Sequence, residues 1–192
     1  MKYFKKLDFP KYNLLTELSN MLSQGSIEWF HNQICINTTA QTPDDYKIGC
    51  GSLAIDWSKE QKTHDQAGIK QTTVGKKLQS ERLYEKDFTQ ICSQFRNTQF
   101  EQVYEHLKKF YTLGRVRLMK LDYKRCMTWH KDPEHQTRIH YPIITSEGNY
   151  MVIENELHHM PQNTWWQTDT SVGHTAFNSS RQDRIHLVAV VL

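Results

Sequence analysis

The sequence predicts a mainly β protein with supporting helices, its core a barrel or double-sheet jelly roll, and three observations carry this prediction. From Arg115 onward, short extended runs follow one another: RVRLMKL, CMTWHKD, RIHYPIIT, NYMVIEN, TWWQTD, GHTAFN and RIHLVAVVL. Turn material such as SEGN and NSSRQD separates several of them, the spacing expected of a closed or double-layered β structure. The last run is apolar on both parities: Val188 and Val190 share a face with Arg184 and His186, while Ile185, Leu187, Ala189 and Val191 occupy the other. A strand apolar on both sides belongs between a second sheet and a helix. Helical periodicity, finally, is confined to the residues before Gly114.

Composition bounds the rest. A chain of 192 residues is long enough for one domain with a substantial core, and no break in composition suggests two. With 38% hydrophobic and 23% charged residues it is not a disordered chain. The formal charge of +3 is spread, apart from the pairs Lys5-Lys6, Lys76-Lys77 and Lys108-Lys109, which read as solvated faces rather than a nucleic-acid footprint. Cys35, Cys50, Cys92 and Cys126 form no CxxC pair, so neither a zinc knuckle nor a disulfide scaffold is indicated, and reduced thiols are expected. The start MKYFKKLDFPKYN lacks an apolar stretch, and no later run approaches the ~20 apolar residues of a membrane span. The expectation is a soluble, cytoplasmic protein without a membrane partner.

In chain order, Leu14, Leu15, Leu18, Met21 and Leu22 mark one helical stripe that Gly25 stops. IEWFHNQICINTT and YKIGCGSLAIDW then read as two strands, with the turn signal AQTPDD between them suggesting a hairpin. Gly49 and Gly51 mark a bulge or a close approach of backbone to ligand. Residues 58–80 are polar and without clear period, the pattern of a long surface loop. Helical rhythm returns at ERLYEKDFTQICSQFRN through Tyr84, Phe88, Ile91, Cys92 and Phe95. Thr98 with Glu101 then forms a capping box ahead of Phe100, Val103, Tyr104, Leu107, Phe110 and Tyr111, and Gly114 ends the helix. Each stripe must be buried, so this pair is expected on the outside of the β structure.

Four residues of the β region stand out. His130 and Asp132, two apart in TWHKD, would share a face of an extended strand. His174, on a later strand, would complete a two-histidine, one-carboxylate set that leaves open positions on a metal. Arg184 follows ten residues on. A guanidinium fork there matches a carboxylate bidentately, which a cosubstrate acid would supply. Zinc hydrolysis has no need of such an anchor.

On GRVRLM, WHKD, RIHYPIIT and HTAFNSSRQDRIHLVAVV, the chain from about Gly114 to Leu192 resembles the aspartyl/asparaginyl β-hydroxylase-like branch of the Fe(II)/2-oxoglutarate-dependent dioxygenases. The resemblance implies a double-stranded β-helix with His130, Asp132 and His174 as iron ligands and Arg184 as the 2-oxoglutarate anchor. It also implies that Arg138 and His140, the family's Arg-x-His, contact 2-oxoglutarate or substrate. The partners implied are 2-oxoglutarate, O2 and a small-molecule or peptide substrate. Residues 1–192 would form one domain, with 1–113 as support and substrate-recognition region and 114–192 as catalytic core. Asp132 departs from the animal enzyme that names the family, which lacks that carboxylate, and it argues against a halogenase. Two other readings use the same residues: a non-catalytic metal-binding cupin-like protein, and a zinc hydrolase.

Among neighbouring residues, His158 and His159 are expected in a turn with structural or solvated roles. His186 either lines the cavity of Arg184 or is a satisfied core histidine. Trp165 and Trp166 should point to opposite faces, and Trp129 should pack against the outer helices.

Overall fold

The computed structural model describes residues 1–53, 55–64, 70–76, 82–132 and 136–192. They fall into two compact units, one of residues 1–50 with 85–192 and the other of residues 51–84.

The larger unit is built on two sheets. Its C-terminal part contributes eight strands: β7 (Leu113–Leu121), β8 (Arg125–Cys126), β9 (Thr137–Ile144), β10 (Asn149–Ile153), β11 (Glu156–His158), β12 (Trp165–Asp169), β13 (His174–Asn178) and β14 (Arg184–Val191). Strands β1 (Phe4–Leu7) and β2 (Gln33–Cys35) extend the large sheet, whose order is β1-β12-β9-β14-β7-β2; the small sheet runs β11-β10-β13-β8. All pairings are antiparallel. Strands β7 to β14 fall in the order large, small, large, small, small, large, small, large sheet, with β10 and β11 a hairpin of the small sheet, the winding of a double-stranded β-helix, or jelly roll.

The parity of each strand divides the core in two. Ile139, Tyr141, Trp165, Ile185, Leu187 and Ala189 face outward from the jelly roll and form the main apolar cluster with the helices α1 (Leu14–Ser23) and α2 (Gln99–Lys108). On the opposite face Trp166 and Phe4 meet Met151 and Ile153 of the small sheet. Trp165 and Trp166 thus serve different faces, as adjacent strand residues must. Burying both faces of β14 is what its unbroken apolar run demands. Helix α2 is capped by Thr98 Oγ1, which accepts from Phe100 N and Glu101 N, while Glu101 reaches back to Asn97 N at 2.6 Å. Trp165 Nε1 donates to Pro10 O at 2.8 Å, and the Tyr141 hydroxyl donates to Tyr12 O, fastening the N-terminal segment to the sheet.

Several local expectations are corrected. The helix expected over residues 81–97 is not found in the described residues 82–97, where short 3-10 turns at Glu85–Asp87 and Ser93–Phe95 flank a two-residue strand, β6 (Gln90–Ile91). Phe88, Ile91, Cys92 and Phe95 are buried nonetheless, because β6 pairs with β3 (Asn37–Thr38) and the Asn37 amide binds Phe88 O. Long-range pairing here outweighs local periodicity. Nor do Ile27–Thr39 and Tyr46–Trp57 make a hairpin, since β2 pairs with β7 and residues 46–53 are turns and coil. Gly49 serves the core rather than a ligand: a Cβ there would lie 2.5 Å from Cys35 Sγ and 2.8 Å from Phe88 Cε1. In the smaller unit the expected 58–80 loop is an antiparallel hairpin, β4 (Ile55–His64) with β5 (Lys70–Lys76); residues 65–69 and 77–80 lie outside the described residues. Polar residues on both parities concealed its period of two. The short edge strand β1, FKKL, gave no alternating signal at all. Among the described residues no helix is long and apolar enough to cross a membrane.

Candidate metal centre

His174 opens β13, in the small sheet, and its backbone exchanges two hydrogen bonds with His130 (His174 N to His130 O, 2.8 Å; His130 N to His174 O, 3.1 Å). His130 is held by this isolated bridge rather than by a continuous strand, which corrects the expectation that TWHKD is one. The chain still runs extended past it, because Asp132 N donates to Thr170 O at 3.2 Å. The side chains of His130, Asp132 and His174 therefore converge, each offering a ligand atom within 4.8 Å of the others. The histidine rings lie 4.3 Å apart, and His174 Nε2 is 4.0 Å from Asp132 Oδ2.

Both imidazoles are oriented in the same way. His130 Nδ1 lies 2.8 Å from Thr128 O and His174 Nδ1 lies 3.0 Å from Val172 O. A carbonyl only accepts, so in each neutral ring the proton sits on Nδ1 and the Nε2 lone pair is left for a ligand. Burial is the main cause that holds His174 below the ordinary imidazole range, which favours this neutral, ligating form. Asp132 is fixed through one oxygen only. Oδ2 accepts from Thr170 Oγ1 at 2.6 Å and from Arg138 Nη2 at 2.8 Å, so Oδ1 is left for a cation. Glu154 anchors the approach to His174: its Oε1 accepts from Gly173 N at 2.9 Å and its own N donates to Gly173 O. Trp129 lies against Gly173, where a Cβ would come within 2.5 Å of the indole, and it is half exposed; it does not pack on the outer helices.

The interior face of the large sheet is polar. Arg138, His140, His186 and Arg184 project from β9 and β14 on the parity opposite to Ile139, Tyr141, Ile185 and Leu187. His140 Nε2 lies 3.1 Å from Thr168 Oγ1, and burial, reinforced by the charges of Arg184 and Arg138, pushes its imidazole down to about 3. Burial likewise keeps His186 well below the usual imidazole range, and both its ring nitrogens lack a hydrogen-bond partner. His140 and His186 meet edge to face at 6.0 Å, both neutral. Arg184 is buried, its Nε unpartnered, and no ion pair to it is found among the described residues. Burial alone pushes its guanidinium down to about 10, so it remains charged at neutral pH. A buried cation without a counter-ion is costly unless an anion arrives with a ligand. His158 closes β11 and lies tilted against Trp166 at 4.2 Å and Phe4 at 5.0 Å, a packing role.

Four of the six residues singled out from the sequence are thus brought into one cluster: His130, Asp132, His174 and Arg138. His140 and Arg184 line the adjoining interior face. Thr170, which holds Asp132, gave no sequence signal, being an ordinary threonine in a turn.

A jelly roll carrying a two-histidine, one-carboxylate cluster defines a class of proteins with a candidate metal site in the fold's interior. Within that class the chain belongs to the aspartyl/asparaginyl beta-hydroxylase family, whose pattern matches residues 55–192. Family membership points to a hydroxylase. No curated protein matches the chain. Among solved structures it is similar to an oxidoreductase of the 2OG-Fe(II) oxygenase family from Burkholderia pseudomallei, with 10% identity over 96% of this chain and 94% of that one at a TM-score of 0.41. It is also similar to a predicted oxalate decarboxylase from Thermotoga maritima, with 14% identity over 72% and 97% at 0.37. A cupin domain from Bordetella pertussis matches with 11% identity over 43% and 92% at 0.35. At these scores the likenesses bear on neither the site nor the activity.

Proposed function

We propose that this protein is an Fe(II)- and 2-oxoglutarate-dependent hydroxylase acting on an unactivated C–H bond, in a free amino acid or an amino-acid side chain of a peptide. The observation that carries the reading is the pairing of a three-donor cluster with Arg184, a buried guanidinium with no ion pair among the described residues. His130, His174 and Asp132 would hold Fe(II), and Arg184 would hold the distal carboxylate of 2-oxoglutarate. When bound, the pair supplies oxidative decarboxylation of 2-oxoglutarate by O2 to succinate and CO2, coupled to hydroxylation of the substrate.

The chain's own work is to bind, orient and exclude. Thr128 O and Val172 O hold the imidazoles in the ligating tautomer, and Thr170 with Arg138 presents a single oxygen of Asp132 to the metal. The neutral imidazoles of His140 and His186 offer hydrogen bonds to a bound acid without adding charge. Trp166, Phe4, Met151 and Ile153 close the adjoining interior to water, which limits oxidation without substrate.

Anaerobic addition of Fe(II) and 2-oxoglutarate is expected to give a weak visible charge-transfer band, and admission of O2 to give succinate. Absence of both would reject the reading. His130→Ala and Asp132→Ala should each abolish succinate formation while the far-ultraviolet circular dichroism stays that of the parent.

A further inference from the structure

We propose that the substrate of this site is a small carboxylic acid, and that Arg117 on β7 holds its carboxylate. The inference rests on the hydroxylase reading above and adds the chemical class of the substrate.

Register places the residue. Arg117 stands opposite Val188 of β14, and Val188 stands opposite His140 of β9, which faces Trp166 of β12. Directly paired residues of antiparallel strands share a face, so Arg117, Val188, His140 and Trp166 form one row across the interior of the jelly roll. Arg138 and Val190 form part of the next row. Strands lie about 4.8 Å apart, so Arg117 and His140 rise from backbones roughly 10 Å apart, with the short side chains of Val188 and Val190 as floor between them. Arg138, on the far side of that floor, bonds Asp132 of the metal cluster. A molecule resting on the two valines therefore has Arg117 at one end and the metal cluster near the other.

Charge on this face does not balance. Of its cations, Arg115 is paired with Glu85 through its Nε and Nη2 and Arg138 with Asp132, and no aspartate or glutamate is among the fully buried residues described. Arg184 and Arg117 remain. 2-Oxoglutarate brings one carboxylate for the metal and one for Arg184, which leaves Arg117 with no carboxylate bonded to it in the loaded site: Glu85 attracts it through space but is bonded to Arg115. Arg117 is 8% exposed; its Nη1 donates to the neutral Gln33 Oε1 at 2.9 Å, and its Nε has no partner. The open Nε–Nη2 edge is the planar fork that takes one carboxylate bidentately, whereas a phosphate would leave further oxygens unmet.

The test uses the wild-type protein with Mn(II) in place of iron, its melting temperature being read against the free α-amino acids and, in parallel, their carboxamides. At least one acid should raise the melting temperature, and its carboxamide should bind about 100-fold more weakly. Arg117→Met should lose the response to that acid, and Arg117→Lys should recover part of it. Equal effects of acid and amide, an undiminished response in Arg117→Met, or no response of the wild-type protein to any acid would overturn the proposal. The acid-against-amide comparison needs no variant, so it stands even if Arg117→Met does not fold. A separate arm with 2-oxoglutarate alone keeps the two readings apart. Its failure, with acid and amide still distinguished, removes the hydroxylase reading and leaves the anion site. Success of that arm with no discrimination removes Arg117 alone.

Discussion

Replacing Arg184 with methionine should stabilise the ligand-free protein, the opposite of what removing a structural salt bridge would do. Burial pushes this guanidinium down to about 10. Against a free guanidinium, and at 1.36 kcal/mol for each tenfold in proton affinity, the buried charge costs about 3 kcal/mol. No described acid offsets it, and its Nε makes no hydrogen bond that substitution would break. Methionine keeps the apolar contacts of the arginine's methylene stem with the sheet while removing the charge, so a gain of about 1–3 kcal/mol is expected. Urea denaturation at pH 7.5 without metal or acid measures it. With Mn(II) and 2-oxoglutarate at 100 times its dissociation constant, the parent should gain about 2.7 kcal/mol and Arg184→Met almost nothing. A variant less stable than the parent by more than about 1 kcal/mol in the absence of ligand, yet still stabilised by 2-oxoglutarate, would refute the reasoning and make Arg184 a structural residue.

Other outcomes follow from the same interior. His140, held at about 3, and His186, held well below the usual range, stay neutral in the folded protein while their unfolded counterparts take up protons below about 6.5. Stability is therefore full above that pH and falls as the pH drops toward 3, by roughly 2.7 kcal/mol per pH unit for the pair, with His106, His158 and His174 adding in the same direction. Urea midpoints at pH 7.5, 6 and 5 test this, and a flat profile contradicts it. Asn37→Ala removes the partners of Phe88 O, Gly114 O and Val116 N at once and should cost on the order of 4 kcal/mol in thermal or urea unfolding; a loss below about 1 kcal/mol would show that water replaces the amide. Gly173→Ala should swing the half-exposed Trp129 off its seat with little loss of stability, seen as a red shift in tryptophan emission that Trp129→Phe abolishes; unchanged emission would mean the backbone moved instead.

What the sequence determined by itself was whatever depends on neighbours along the chain. Period-two alternation predicted β9, β10, β12, β13 and β14, the opposite orientation of Trp165 and Trp166, and the shared face of Arg184 and His186. Period 3.6 and the capping pair predicted α1 and α2. The order His130, Asp132, His174, Arg184 was visible too, because each residue type has chemistry of its own.

Tertiary structure decided what depends on partners far along the chain. The stripe of Phe88, Ile91, Cys92 and Phe95 suits a helix, yet pairing with Asn37–Thr38 and the Asn37 amide draw it into turns and a strand. The alternation Arg115, Val116, Arg117, Leu118 reads as a strand with one wet face. Only the register of β7 against β14 turns that charged face inward and leaves Arg117 buried. His130 and Asp132 converge with His174 through a single bridge and a bond to Thr170, not through the regular pleat that the HxD spacing suggests. Local sequence sets the period of an element and so which side chains share a face. Which face is buried, and what each side chain meets there, follows from contacts between residues tens of positions apart, which only the packed chain supplies.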